Sequence, residues 1–121
     1  MLRQMAWNTF KHTGNVNTFI ELIEIEIKQG INVKLNAIVF YNENEIYLNN
    51  KKYKITDEFK EKLLRILSTW KSQSKNTNKI DEEEYKITIR TKANEEVIKG
   101  KGSYPHNYNE LFRLLGELEN E

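Results

Sequence analysis

Residues 45–70, EIYLNNKKYKITDEFKEKLLRILSTW, decide the fold of this chain, because they combine a strand hairpin with an amphipathic helix. Glu45–Leu48 and Lys52–Ile55 read as short strands and flank Asn49-Asn50, which is the arrangement of a two-residue hairpin. Thr56 is placed to cap the helix that follows. The apolar side chains of this helix share one broad stripe: Phe59, Leu63, Ile66, Leu67 and Trp70. Such a stripe is buried most simply against one face of the sheet.

Upstream of the hairpin, the sequence predicts a further strand and a helix. From Val33 onward, apolar residues alternate with polar ones, and the alternation ends in the apolar run Ile38–Tyr41, which indicates a strand. Together with the two strands of the hairpin, this strand is predicted to form a three-stranded antiparallel meander. A helix is predicted from about Val16 to Gly30, because Phe19, Ile20, Ile23 and Ile27 recur at helical spacing. The segment Ile23–Ile27 also alternates with a period of two, so a strand is the alternative there.

Downstream, a second hairpin and a last helix are predicted. Tyr85–Arg90 alternates apolar and polar residues, and Glu96–Lys99 is expected to pair back after a turn. Residues 100–105 are expected to form a loop. The last helix is predicted to start near Asn107. Its apolar stripe is Tyr108, Leu111, Phe112, Leu115 and Leu118.

Together these elements predict an α+β fold, a two-layer helix-on-antiparallel-sheet sandwich with the order α-β-β-β-α-β-β-α. The chain is expected to be a single domain over residues 1–121, with an aromatic N-terminal segment at 1–14 and a solvated loop at 72–80 between the two halves. Residues 61–67 and 109–115 have similar sequences. A shared amphipathic pattern is one interpretation of this similarity, and a hairpin–helix duplication is the other.

Composition excludes several classes of protein. Of 121 residues, 38% are hydrophobic and 31% are charged, which is incompatible with a disordered chain, and no apolar run approaches a membrane span. The 19 basic and 18 acidic residues nearly cancel, so net charge predicts neither a nucleic acid nor an anionic membrane as the partner. The chain has no cysteine, and residues 1–8 do not resemble a secretion signal, so a cytoplasmic protein is expected.

Candidate catalytic and ligand-binding residues are few. His12 and His106 have no spacing typical of a metal site, and Ser103 lacks the strand–turn–helix setting of a nucleophile. Gly100-Lys101-Gly102-Ser103 does not have the glycine spacing of a phosphate-binding loop. The acidic clusters at 81–84 and 95–96 are interpreted as solvated surface. The sequence therefore predicts no enzyme, no cofactor and no metal.

The first twenty residues contain an aromatic pattern that resembles a known family. Trp7, Phe10, Thr13-Gly14, Val16-Asn17 and Phe19 fill the positions of a motif in the YqzL-like family of short, uncharacterised Firmicute proteins. The resemblance covers about residues 5–26. It implies a bacterial origin and a helical start, and it transfers no catalytic residue, since the family has no established activity.

The function that the sequence favours is binding of another protein, or of a second copy of the chain as a homodimer, without catalysis. Trp7 and Phe10 are the candidate anchors, and the alternative is that they cover the protein's own core. A nucleic-acid-binding module is a second hypothesis, because the hairpin 45–55 offers Tyr47 and Tyr53 together with lysines. An immunity or antitoxin-like protein, with an acidic face turned to a basic partner, is a third.

Overall fold

The computed structural model describes residues 20–74, 82–91 and 94–119, and these residues form one sheet and two helices. The elements in chain order are β1 (Ile20–Gln29), β2 (Asn32–Phe40), β3 (Glu45–Leu48), β4 (Lys51–Lys54), α1 (Asp57–Leu67), β5 (Gln73–Ser74), β6 (Glu83–Thr91), β7 (Glu95–Lys101) and α2 (Tyr108–Glu119). The α+β class predicted from the sequence is confirmed.

The strands of the described residues lie in the order β4-β3-β2-β1-β6-β7-β5. Neighbouring strands are antiparallel, except that β5 runs parallel to β7 and pairs with it only at Gly100 and Lys101. The hairpin predicted at Asn49-Asn50 is confirmed. Asn49 and Asn50 have φ angles of 50° and 70°, which the favoured two-residue turn requires at both central positions.

The helix predicted from about residue 16 to residue 30 is wrong over residues 20–29, which form the central strand β1. This strand has a neighbour on each side, and Ile25 lies opposite both Ala37 and Ile87. Its three alternate isoleucines are completely buried: Ile23, Ile25 and Ile27. Branched side chains of this kind suit a pleated sheet packed against a core. Residues 16–19 of the predicted helix lie outside the described residues.

Helix α1 forms where the sequence predicts it. The Thr56 hydroxyl accepts a hydrogen bond from the Phe59 backbone N–H at 3.1 Å, which satisfies one of the free donors of the first turn. The predicted apolar stripe is buried, and Trp70, which follows the helix, is completely buried. The helices pack on the sheet face that carries Ile25, Ala37 and Ile87, because their buried residues belong to the same core cluster.

Helix α2 is joined to α1 through Trp70 and Asn107. The indole N–H of Trp70 donates to Oδ1 of Asn107 at 2.7 Å, and Nδ2 of Asn107 donates to the carbonyl of Ile66 at 3.0 Å. The ring of Trp70 lies 5.1 Å from that of Tyr85 and 5.7 Å from that of Tyr108, measured between centroids. This aromatic cluster fills the space between the two helices and β6.

Part of the loop predicted over residues 100–105 belongs to β7 instead. Gly100 lies directly opposite Tyr85 in the ladder between β6 and β7, and the Tyr85 ring lies over it, where a Cβ atom would stand. A glycine at this position weakens a strand, but it gives the aromatic ring of the neighbouring strand room to pack down on the backbone. Gly102, with φ 74°, makes the turn that ends β7.

Two of the predicted segments fall largely outside the described residues. The aromatic segment 1–14 lies outside them entirely. Of the loop predicted at 72–80, only residues 72–74 are described, and Gln73–Ser74 form the short strand β5 rather than loop. Residues 75–80 of the predicted loop lie outside the described residues.

Buried tyrosine hydroxyls predict a loss of stability in alkali. Burial raises the pKa of Tyr41, and burial is also the main cause of the raised pKa of Tyr104 and of Tyr108. Tyrosines of the unfolded chain lose their protons near about pH 10, whereas these three keep theirs to higher pH. Unfolding therefore releases protons above about pH 10, so stability is complete below that pH and falls as the pH rises beyond it.

Tyr41→Phe tests this dependence, because the Tyr41 hydroxyl is buried without a hydrogen-bond partner among the described residues. Near neutral pH the substitution is expected to change the free energy of unfolding by less than about 1 kcal/mol, since no hydrogen bond is lost. In alkali the variant is expected to lose stability less steeply than the parent chain. Urea unfolding followed by circular dichroism measures both effects, and equal slopes in alkali would refute the assignment to Tyr41.

Candidate binding surface

The sheet has a second face, which we call the open face, on the side away from the helices. Side chains of successive strand residues point to opposite faces, so this face is carried by the residues between the buried ones. From the β4 side across to β7, it carries Lys54, Lys52, Glu45, Tyr47, Phe40, Ile38, Asn36, Leu22, Glu24, Glu26, Lys28, Arg90, Thr88, Lys86, Glu84, Glu95, Val97, Lys99 and Lys101. Within the described residues, neither helix covers it.

One part of the open face is apolar, and we call it the apolar strip: Leu22, Ile38, Phe40 and Tyr47. Leu22 lies opposite Phe40 in the register of β1 and β2, and Ile38 lies opposite Tyr47 in that of β2 and β3. The rings of Phe40 and Tyr47 meet edge to face at a centroid distance of 5.7 Å. Tyr47 is 38% exposed, and the other three are partly exposed. The four side chains therefore form one continuous apolar area.

The opposite end of the open face is a groove along β6 and β7, which we call the lysine groove. It has a volume of about 860 Å³ and is lined by Ser72, Glu84, Lys86, Val97, Lys99, Gly100 and Lys101. Lys86 lies directly opposite Lys99 in the ladder, and Lys101 lies opposite Glu84. Three lysines and one glutamate make the electrostatic potential of this groove positive.

Ion pairs are distributed unevenly over the open face. Lys28 pairs with Glu26 at 3.5 Å, Lys52 with Glu45 at 3.3 Å, and Arg90 with Glu95 at 3.1 Å. Within the described part of the chain, none of the lysines of the lysine groove forms an ion pair. Lys86 has a like charge opposite it on β7, Lys99, and an opposite charge opposite it on β1, Glu26.

The structure separates the residues that the sequence proposed for partner binding. Tyr47 lies on the open face, in the apolar strip. Tyr53 lies opposite Ile46 and packs partly buried against the core, so it points to the other side of the sheet. Trp7 and Phe10 lie outside the described residues. Of the four predicted anchors, the structure therefore places one on the candidate binding surface.

Among the described residues, the candidate chemical residues form no common site, and His12 and Asp81 lie outside the described residues. His106 is exposed in the loop before α2. The acidic clusters lie at opposite ends of the hairpin of β6 and β7, as Glu84 pairs with Lys101 and Glu95 with Arg90. Among the described residues, no group of three or more histidines, aspartates or glutamates is arranged to hold a metal ion.

A buried lysine was not anticipated from the sequence. The Lys60 side chain is completely buried, and its ammonium donates to the carbonyl of Tyr41 at 3.3 Å and to Oδ1 of Asn44. It also lies 3.1 Å from the Asp57 carboxylate and 5.8 Å from the centre of the Tyr41 ring. Lys60 thus joins the first turn of α1 to the turn between β2 and β3, which is a structural role. A lysine on a helix otherwise indicates a solvated side, so no sequence signal identified it.

Comparison of the chain with protein-family models, with curated protein sequences and with solved structures found no match. The resemblance of residues 5–26 to the YqzL-like family stays a prediction. Of the two described helices, neither has the length and apolar character needed to cross a bilayer.

Proposed function

We propose that this protein is a cytoplasmic, non-catalytic protein-binding module that uses the open face of its sheet, and that its first partner is a second copy of itself. The observation that carries this proposal is the apolar strip. An antiparallel sheet with one wet face normally alternates apolar residues inside with polar residues outside. Leu22, Ile38, Phe40 and Tyr47 break that alternation together, and a contiguous exposed apolar area is typical of an interaction site.

The size of the open face suits a dimer contact. Six strands spaced about 4.8 Å apart give a width of roughly 24 Å, and a length of about 20 Å follows from strands of this kind. That area, roughly 480 Å² per copy, is below the roughly 800 Å² of a standard interface and matches a weak contact. A two-fold contact brings the same patch of both copies together. Because the apolar strip carries no charge, it meets its own copy without repulsion.

The aromatic N-terminal residues fit the same proposal. Trp7 and Phe10 are expected either to cover this protein's own core or to contribute to the contact with the partner. The two-layer sandwich and its hairpin–helix duplication are also proposals. What supports the duplication is that β3-β4-α1 and β6-β7-α2 share the same order of elements.

The rival hypotheses have less support. Single-stranded nucleic acids bind to aromatic platforms beside lysines, but Tyr47 and Tyr53 face opposite sides of the hairpin. The immunity or antitoxin-like hypothesis needs an acidic face, and the open face has more basic residues than acidic ones. Both remain alternatives to be separated by binding experiments.

Sedimentation velocity of the full chain tests the proposed self-association. Wild-type protein is expected to form a dimer, and the double variant Ile38→Lys/Tyr47→Lys is expected to weaken association at least tenfold, because it places charges in the apolar strip. Ile31→Lys is the matched control, since Ile31 is 98% exposed in the turn between β1 and β2, outside the open face.

The double variant Trp7→Ala/Phe10→Ala tests whether these two side chains contact the partner or cover the protein's own core. Loss of the dimer with an unchanged free energy of unfolding supports contact with the partner. A monomer at every accessible concentration would contradict self-association.

A further inference from the structure

We propose that the N-terminal segment, residues 1–19, docks on the apolar strip of its own molecule and competes there with a second copy of the chain. This inference rests on the proposed self-association and names its regulation, because the segment must leave the strip before the dimer forms. The occupant is a part of this chain that lies outside the described residues.

The first support is the place where the segment joins the sheet. Residue 20 is the first residue of β1, and Leu22, two positions later, belongs to the apolar strip. The backbone N–H of Tyr41 donates to the carbonyl of Glu21 at 3.1 Å, so the end of β2 that carries Phe40 lies beside this junction. The segment therefore enters the sheet at the end where the apolar strip lies.

The segment is also long enough for this contact. Tyr47, on β3, is the strip residue farthest from β1, and two strand spacings amount to about 10 Å. Phe10 precedes Ile20 by ten positions, and Trp7 precedes it by thirteen. Ten extended residues span up to roughly 33 Å. Both aromatic side chains therefore reach the strip even when the residues between are not extended.

The second support is apolar complementarity. The segment contains three aromatic side chains, Trp7, Phe10 and Phe19. The strip presents two more, Phe40 and Tyr47, and Tyr47 is 38% exposed. Aromatic side chains bury large apolar areas and pack favourably against one another. Docking therefore removes apolar surface of both the segment and the strip from water.

The third support is charge. Residues 1–19 include the basic residues Arg3 and Lys11 and contain no aspartate or glutamate. Glu24 lies beside the apolar strip on β1 and forms no ion pair among the described residues. Arg90, the basic residue that borders the strip on β6, is paired with Glu95 at 3.1 Å. A basic segment therefore meets a carboxylate without an ion pair at the edge of the strip.

Attachment to the same molecule favours the segment over a second copy. A short flexible linker gives an effective concentration in roughly the millimolar range. The open face offers a second copy roughly 480 Å², which is less than a standard interface. A dimer also loses translational and rotational freedom that an intramolecular contact keeps. In dilute protein the segment therefore occupies the strip, and dimerisation requires its displacement.

Acrylamide quenching of tryptophan fluorescence in the dilute, monomeric full chain tests the docking. The two tryptophans are Trp7 and the completely buried Trp70, so a rise in quenching reports Trp7. The parent chain is expected to be quenched weakly. Ile38→Lys/Tyr47→Lys is expected to raise quenching severalfold, because charges in the strip release Trp7 to solvent. Ile31→Lys, outside the open face, is the matched control and is expected to behave like the parent chain.

Two further variants secure this measurement. In the background of Trp7→Phe, the strip substitutions are expected to leave quenching unchanged, because the buried Trp70 alone remains. If Ile38→Lys/Tyr47→Lys loses its fold, NMR of dilute Trp7→Ala/Phe10→Ala replaces it. Amide shifts around the apolar strip are then expected to differ from those of the parent chain, and shifts along α1 and α2 are expected to stay constant.

Sedimentation velocity of the full chain tests the competition with a second copy. A segment that occupies the strip for about nine-tenths of the time raises the apparent dissociation constant of the dimer about tenfold. Trp7→Ala/Phe10→Ala removes both aromatic anchors and is therefore expected to dimerise about tenfold more tightly than the parent chain.

Three outcomes would overturn the inference. They are ready quenching of Trp7 in the dilute parent chain, shielding of Trp7 that the strip substitutions leave unchanged, and a weaker dimer in Trp7→Ala/Phe10→Ala, which would place the segment on the partner. Failure of the proposed function is distinguishable, because quenching is measured on the monomer. A chain that shields Trp7 on the strip and stays monomeric even as Trp7→Ala/Phe10→Ala contradicts self-association and upholds the docking.

Discussion

Gly100→Ala is expected to destabilise the protein by about 3 kcal/mol, which is a large part of the stability of a small domain. The added methyl group would overlap the ring of Tyr85, which lies over Gly100 in the ladder of β6 and β7. Tyr85 is completely buried against Trp70 and Tyr108, so its ring has no free space to enter. Urea unfolding followed by circular dichroism measures the loss.

Gly116→Ala is the matched control for this prediction. Gly116 lies in α2, and a Cβ atom there has no neighbour within 4 Å. Because alanine is the better helix former, Gly116→Ala is expected to stabilise the protein by about 0.5–1 kcal/mol.

The variant Tyr85→Leu tests whether the tyrosine ring causes the loss of stability. In this variant, Gly100→Ala is expected to lower the free energy of unfolding much less than in the parent chain, since the ring that the new methyl group overlaps is gone. An equal cost in both backgrounds would show that the ring is not the cause.

Lys60→Ala is expected to cost about 3 kcal/mol. The substitution removes a completely buried aliphatic stem and leaves a cavity, and it leaves the carbonyl of Tyr41 without its Lys60 donor. Asn44, whose φ of 54° shapes the turn before β3, loses its contact with the ammonium as well. Thermal and urea unfolding of the variant measure the loss.

Two further substitutions separate the parts of the Lys60 contribution. Lys60→Met keeps most of the stem and is expected to cost about 1–2 kcal/mol through the lost hydrogen bonds. Asp57→Asn weakens the ion pair to the same ammonium, but the Asp57 side chain is 82% exposed, so a cost below about 1 kcal/mol is expected. A larger loss from Asp57→Asn than from Lys60→Met would contradict this account.

Local sequence predicted the elements whose signals are local. The pair Asn49-Asn50 predicts a two-residue hairpin turn. Thr56 predicts the N-terminal cap of a helix, and the apolar stripe from Phe59 onward predicts the helix itself. Both are confirmed, because turn geometry and helix capping depend on residues only a few positions apart.

The segment 20–29 shows that local periodicity alone does not decide between a helix and a strand. Its isoleucines fit both a helical stripe and a strand alternation, and the outcome depends on partners far along the chain. Ile25 pairs with Ala37 on one side and with Ile87 on the other, and Ile87 is more than sixty positions away in sequence. With neighbours on both sides, a strand satisfies all its backbone groups while burying every second side chain.

The candidate binding surface was only partly predictable for the same reason. The sequence indicates Tyr47 as a binding residue from its place in a lysine-rich hairpin, but the apolar strip around it depends on the register that brings Leu22, Phe40 and Ile38 together. The lysine groove likewise depends on the pairing of Lys86 with Lys99. A sequence shows which residue types are present. It does not show which of them share a surface, because that depends on the order and register of the strands.

The most direct test of the open face as the interaction surface is an NMR dilution series of the full chain, which reports each backbone amide separately. Between about 1 mM and about 10 µM, a range that brackets modest affinities, the proposal predicts shifts that change around Leu22, Ile38, Phe40 and Tyr47 and stay constant along α1 and α2. Concentration-dependent shifts confined to the helices, or no concentration dependence at all, would contradict it.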